Sequence, residues 1–419
     1  MKIRNTVFAF VLCAIAAGPR VAQGGAPAGE TKTATGVINA LGIELLKGAG
    51  KPDANAVLSP YSTGEALGMV YAGASGKTRE EMRAALHFPK DDEELNASFS
   101  ALRVHLDAVC KETAAAAKRS RGDARNVAKE PITLETVNRI FAQQGSAFRK
   151  PFLDVLKSSY DAPLGEVDFG AGPGKAAGAI NDWVADLTQK RIPDFIPADA
   201  AASGESLVLV DAIYFKAQWR QGFFEKKTAP APFHVAGGEA VDVPTMRDNH
   251  RWPYEKRKGY SAFAIPYADG QMQFLVLLPD EPGGLAALEQ KLTPALLAGC
   301  ANLPKRDVTI HLPKFKIEPP VMRLSGQLKT LGIGSAFGPD ASFSRMSATG
   351  KPSIGEVFHK AFISVDERGT EAAASTAIEL IAYDPDTPVE VNVDHPFLFA
   401  VQDLKSGVCL FIGRVTDPR

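Results

Sequence analysis

From Val37 onward, Val37, Ile38, Leu41 and Leu45 recur at helical spacing, and Leu67, Val70 and Tyr71 continue a second helix after Ser59-Pro60. The front third of the chain is therefore predicted to be mainly helical. Past Leu207 the texture changes. Residues 207–210, 274–278, 308–312, 389–393, 397–401 and 409–415 are short apolar runs separated by Gly, Pro and Asp turns. Regular helices of crossover length are missing between them, so a doubly wound parallel sheet is disfavoured. The pattern predicts an α+β domain with large mixed or antiparallel sheets. Between the two textures, residues 111–130 are polar and basic, with Lys118, Arg119, Arg121 and Arg125. This stretch reads as an exposed, solvated loop between helices, with polyanion binding as the second reading.

Lys2 and Arg4 precede an apolar run at 7–17 that ends in small residues, the order of a secretory signal. The run is short of the roughly 20 residues that span a bilayer. A lipoprotein reading through Cys13 meets the bulky Leu12, and a buried N-terminal helix is the alternative to export. Residues 1–23 are accordingly read as a signal peptide, 24–34 as a flexible lead-in and 35–419 as a single domain, secreted or periplasmic. The 419 residues are 45% hydrophobic and 23% charged, enough for a large core. Lys and Arg number 47 against 48 Asp and Glu, so no whole-chain basic field favours nucleic acid. Of four cysteines, Cys13 lies in the signal, leaving Cys110, Cys300 and Cys409. An odd count without CxxC spacing specifies neither a disulfide framework nor a zinc site. Buried single thiols are expected, and one disulfide stays open in an oxidising compartment.

Catalytic signals are sparse. Residues 72–78 resemble the tail of a phosphate-binding loop, but Tyr71 stands in place of its first glycine and a helix precedes it, so a helix-ending turn is expected. GxSxG, SxxK and HExxH are absent, and the seven histidines are isolated. No cofactor or metal is implied. An enzyme with a triad assembled from distant residues remains the rival class.

One stretch is chemically unusual. Residues 364–383 read SVDERGTEAAASTAIELIAY; from Thr370 the even positions are Thr370, Ala372, Ala374, Thr376, Ile378 and Leu380, and the odd ones include Glu371, Ser375 and Glu379. That is the period of a half-buried strand with its acids on one face. Its first half is made of small residues, a poor permanent strand and a good helix. A segment that suits two environments is a candidate switch.

From about Val37 to Pro418 the chain resembles the serpin family. The resemblance rests on NAVLSPYS at 55–62, DAIYFKAQW at 211–219, LPKF at 312–315, VFHKA at 357–361, residues 367–374 and HPF at 395–397. It implies three β-sheets, about nine helices and an exposed reactive loop at about 367–393. It also implies an inhibitor, not an enzyme: a serine protease attacks the loop as substrate, and the cut loop inserts into the central sheet. Carried over by position, Glu367, Gly369, Thr370, Glu371, Ala372, Ala373 and Ala374 form the hinge. Trp219 marks the top of the central sheet, and Ser59, Ser62 and His359 match the polar cluster under its parting strands. Asp211 departs from the usual Asn; an ionised carboxylate there needs His359 as partner. At the family's spacing from Glu367 the reactive bond joins Tyr383 to Asp384, with Ala382 the neighbouring alternative. Tyr383 suits a chymotrypsin-type pocket and Ala382 an elastase, while the lack of Lys or Arg between Gly369 and Phe397 disfavours trypsin-like enzymes. The partner is then a protease held covalently by a monomeric protein. A non-inhibitory serpin acting as a binding or carrier module is the alternative.

Overall fold

A computed structural model describes residues 29–120, 130–188, 190–198, 206–238, 240–349, 351–371 and 388–419. Its α-helices are α1 Lys32–Lys47, α2 Pro60–Gly73, α3 Gly76–Ala85, α4 Asp92–Ser120, α5 Lys150–Tyr160, α6 Pro173–Leu187, α7 Leu285–Lys291, α8 Pro294–Ala298 and α9 Ser325–Thr330. The first strands are β1 Ala56–Leu58, β2 Thr133–Gln143, β3 Gly165–Val167, β4 Ser206–Gln218, β5 Ala229–His234 and β6 Ala240–Arg257. Next come β7 Tyr260–Pro266, β8 Met272–Pro279, β9 Lys305–Pro313, β10 Phe315–Ile317, β11 Met322–Arg323 and β12 Ser353–Ala361. The last are β13 Ile363–Val365, β14 Gly369–Thr370, β15 Val389–Asn392, β16 Phe397–Asp403 and β17 Cys409–Val415. The predicted α+β class, with its helical front third, is what the chain adopts.

Local chemistry explains the helix on which the site rests. The Ser59 hydroxyl accepts the Ser62 N–H at 3.1 Å, and Pro60 occupies the first helical position, where a missing donor costs nothing. Helix α2 therefore starts where Ser59-Pro60 indicates. Its far end stops at Gly73, and α3 begins at Gly76 in a left-handed conformation (φ +50°), so the expected helix-ending turn lies at Ala74-Ser75 and residues 76–78 already open a second helix.

The strands make two hydrogen-bonded sheets. One runs β1-β17-β16-β8-β7-β6-β9-β15, with β5 on β6. Strand β6 serves two halves: Tyr254 to Arg257 pair with β7, while earlier residues pair with β5 and β9. The three expected sheets are thus this pair sharing β6, plus a central sheet built on β4. On the central strand, Leu207, Leu209, Ile213, Phe215 and Ala217 point into the main core, whereas Val208, Val210 and Ala212 pack with Ala176, Ala177, Ile180 and Val184 of α6. Burial on both faces explains why β4 reads as a nearly continuous apolar run.

Two expectations need correction. Residues 111–120 are not loop but the end of α4, because Ala114 to Ala117 are the strongest helix formers; Lys118 and Arg119 lie in its last turn, where positive charge suits the helix dipole. The next described element is strand β2, not a helix, while Arg121 and Arg125 lie outside the described residues. Helix α1 also begins at Lys32, inside the stretch expected to be a flexible lead-in, and residues 1–28 are outside the description. Cys110, Cys300 and Cys409 are free thiols, the last two buried. Among the described residues no helix is long and apolar enough to cross a membrane.

Candidate functional site

The hinge sits at one end of the central sheet. After β13 the chain turns at Asp366, whose carboxylate accepts the N–H groups of Arg368 (2.8 Å) and Gly369 (3.2 Å). It then re-enters as β14, between β13 and the tip of β4. Gly369 pairs with Gln218, and Thr370 pairs with Ala217 on one side and Val365 on the other. A Cβ on residue 369 would collide with the Ala217 carbonyl oxygen, so only glycine permits this approach. Thr370 is buried, and its hydroxyl meets that of Tyr267 at 2.8 Å.

Trp219 anchors this turn. Its backbone N–H donates to Arg368 O at 2.8 Å and its indole N–H to Asp366 O at 2.9 Å, while the ring stacks on Tyr267. Glu367 is buried with Lys314 Nζ at 2.8 Å and the Thr228 hydroxyl donating at 2.8 Å. Burial alone would push its carboxyl up, but the bonds from Lys314, its own backbone and Thr228 prevail and hold it below the ordinary range. Lys314 lies in the LPKF motif, yet its role needed the fold to emerge. The expected loop at 367–393 is thus strand at both ends, in β14 and in β15. Ala372, Ala373, Ala374, Ala382, Tyr383 and Asp384 lie outside the described residues.

Farther along the sheet, β4 and β12 run parallel from Ser206 and Ser353 to Ile213 and Ala361. Beneath them lies a fully buried polar group. His359 Nε2 accepts the Ser59 backbone N–H at 3.1 Å, which leaves the ring proton on Nδ1 to be donated to Asp211 Oδ2 at 2.9 Å. Thr63 donates its hydroxyl to the same oxygen at 2.6 Å, and Ser62 donates to Oδ1. Three donors make a buried carboxylate tolerable where the family commonly has an amide. All four sequence-named residues therefore meet. Ser59 takes part through its backbone, its side chain being used as the α2 cap.

Sequence reasoning missed the rest of this cluster. Glu65, one turn farther along α2, is buried; Tyr61 donates to it at 2.9 Å and Asn138 of β2 at 3.0 Å. Burial, with a smaller contribution from Asp211, pushes its pKa up to about 8 against the opposing bonds from Tyr61 and Asn138 and the charge of Arg103. An acid inside an otherwise apolar helix stretch was the available signal.

Residues 37–418 match the family model described as serpin (serine protease inhibitor). The chain belongs to the serpin family. An uncharacterized serpin-like protein of Thermococcus kodakarensis is 34% identical over 93% of this chain and 87% of its own length. The leukocyte elastase inhibitor of Sus scrofa is 32% identical, covering 88% of this chain and 94% of the relative. Among solved structures, Serpin48, a highly specific serpin of the insect Tenebrio molitor, superimposes with a TM-score of 0.73 at 30% identity, covering 94% of this serpin and 98% of that one. The family is one of protease inhibitors rather than enzymes, and a relative named above is an elastase inhibitor.

Proposed function

We propose that this serpin is an exported, monomeric suicide inhibitor of chymotrypsin-like or elastase-like serine proteases, cut between Tyr383 and Asp384. The carrying observation is that the hinge has already begun a strand. Because Thr370 pairs with Ala217 and Val365, continuing that register brings each even-numbered loop residue opposite an odd-numbered, core-facing residue of β4. Ala372 then meets Phe215, Ala374 meets Ile213 and Ile378 meets Leu209. Small and apolar side chains enter the core, and Glu371 and Glu379 stay on the outer face.

The same register brings Thr376 between Asp211 and His359. Insertion must separate those two partners, and an arriving hydroxyl can both donate to the carboxylate and accept from the imidazole N–H. The central bond is replaced in kind, which keeps the buried carboxylate satisfied as the strands part.

Trapping begins as ordinary proteolysis. The protease serine attacks the carbonyl of Tyr383, Asp384 leaves on the new amino terminus, and an ester joins the loop to the enzyme. About 14 inserted residues at roughly 3.3 Å each drag that ester about 45 Å along the sheet. Distortion of the protease then outruns attack by water. Before cleavage the protein is held by a kinetic barrier, since the longer sheet is the more stable arrangement.

Incubation with chymotrypsin, an elastase and trypsin tests this reading. A covalent complex that survives boiling in detergent is expected with either of the first two. The released C-terminal fragment should begin at Asp384; a fragment beginning at Tyr383 moves the bond to Ala382 and favours elastase. Cleavage without complex at every ratio would return the carrier reading.

A further inference from the structure

Thr370 and Glu371 are consecutive, yet opposite faces of the central sheet hold them. Thr370 points inward to Tyr267, while Glu371 adopts a left-handed turn (φ +51°), donates its N–H to Ser364 O at 3.2 Å and directs its carboxylate outward. There Arg191 donates to Glu371 Oε2 at 3.0 Å, and the guanidinium lies 4.3 Å from the centre of the Tyr214 ring. Arg191 belongs to the segment after α6, the helix packed over the outer face of β4. Tyr214 of β4 faces Phe362, beside β13, across 5.8 Å, and the continued register brings Ala373 between these two rings. The pair therefore stands at the mouth of the slot that the next loop residues must enter.

A non-glycine residue held at positive φ is strained, and a strand admits no such turn. Loop entry requires Glu371 to become extended; its carboxylate stays on the outer face, but the turn in which Arg191 now meets it is lost, so the pair must be released while the backbone flips. Glu135 on β2 lies within electrostatic reach of Arg191, and Lys316 on β10, held by Glu318 at 2.6 Å, within reach of Glu371; Lys216, next to the register partner of Thr370 on β4, is engaged by Glu130 at 2.6 Å. Burial, then the Glu371 carboxylate, hold the Tyr214 hydroxyl above its ordinary range.

We propose that Arg191 is a positioning residue that latches the hinge after its first two inserted residues, keeping Glu371 in its outward turn until cleavage supplies the drive to break the pair. This rests on the inhibitory reading, and it assigns to the segment after α6 control over premature loop entry. Lacking the latch, the uncut protein should take up its own loop sooner.

The test holds uncut protein at a fixed elevated temperature and measures, over time, the fraction whose loop thermolysin still cuts. Arg191→Ala and Glu371→Ala should each accelerate the loss about two- to fivefold, the range of a partly exposed ion pair. The double variant should be no faster than either single one, and the exchanged pair Arg191→Glu with Glu371→Arg should regain much of the wild-type rate. Raising salt to about 1 M should accelerate the wild type and leave Arg191→Ala unchanged. Equal rates in all variants would overturn the latch. The covalent-complex assay is scored separately: complexes with equal decay rates discard the latch alone, whereas faster decay in Arg191→Ala without any complex keeps the latch and discards the inhibitor.

Discussion

The two edges of β4 are built differently. Along one, β2 pairs antiparallel without interruption from Thr133 opposite Lys216 to Phe141 opposite Val208. Along the other, β12 pairs in parallel only as far as Ile213 and is irregular between Ile354 and Glu356; the ladder resumes at Ala217 with the hinge itself. Parallel pairing is the weaker per residue, and here it is also the shorter. The sheet has one seam, therefore, and the chain has placed both its polar cross-link, Asp211 to His359, and its hinge on that seam. The difference teaches that the place of opening is a property of register as much as of side chains.

The largest effect expected is on the seam as a whole. Cutting the loop should raise the thermal midpoint sharply, because a new central strand gains ladder bonds on both sides and buries Ile378 and Leu380 at about 1.5 to 3 kcal/mol each. Calorimetry of cut and uncut protein decides it; an unchanged or lowered midpoint would mean that the seam does not open.

Thr370→Arg comes next. It forces a guanidinium into a buried site where the Thr370 hydroxyl now meets that of Tyr267, at a cost of several kcal/mol. Complex formation should collapse while cleavage continues, turning inhibitor into substrate. Undiminished complex yield on a denaturing gel at unchanged stoichiometry would count against insertion.

His359→Ala tests the cross-link. It leaves Asp211 buried with hydroxyl donors alone, and breaking such a pair costs about 3 to 5 kcal/mol. The uncut form should lose more stability than the cut form, in which Thr376 can take over as donor. Equal losses in the two melting curves would refute the replacement.

The smallest effect concerns Glu65, which hangs between the cluster and β2, the firm edge. Folded, its carboxyl keeps a proton up to about pH 8; unfolded, it releases it near 4.5. The folded state thus binds the extra proton between these values, so this contribution to stability is complete below about 4.5, falls as pH rises and is gone above about 8. Its size is on the order of a few kcal/mol. Glu65→Gln should flatten the midpoint against pH over that window. A slope identical to wild type would show that the carboxyl is already ionised.

Much of this was legible along the chain. The start of α2 at Ser59-Pro60, the six apolar runs that became strands, and the inward even and outward odd positions at Thr370 and Glu371 are local patterns. The Ala114 to Ala117 run was equally local, and the basic residues around it drew attention away from the helix they extend. The long motifs carried the family, and with it Trp219, Asp211 and His359 as residues to watch.

Hidden from the sequence were the pairings between distant parts of the chain: Glu65 with Asn138, Lys314 with Glu367, Arg191 with Glu371. Periodicity assigns a side chain to a face because the backbone repeat is set by a residue's immediate neighbours. It assigns no partner across that face. Partners come from strand order and register, and these were settled only when β4 acquired β2 on one edge and a shorter parallel neighbour on the other.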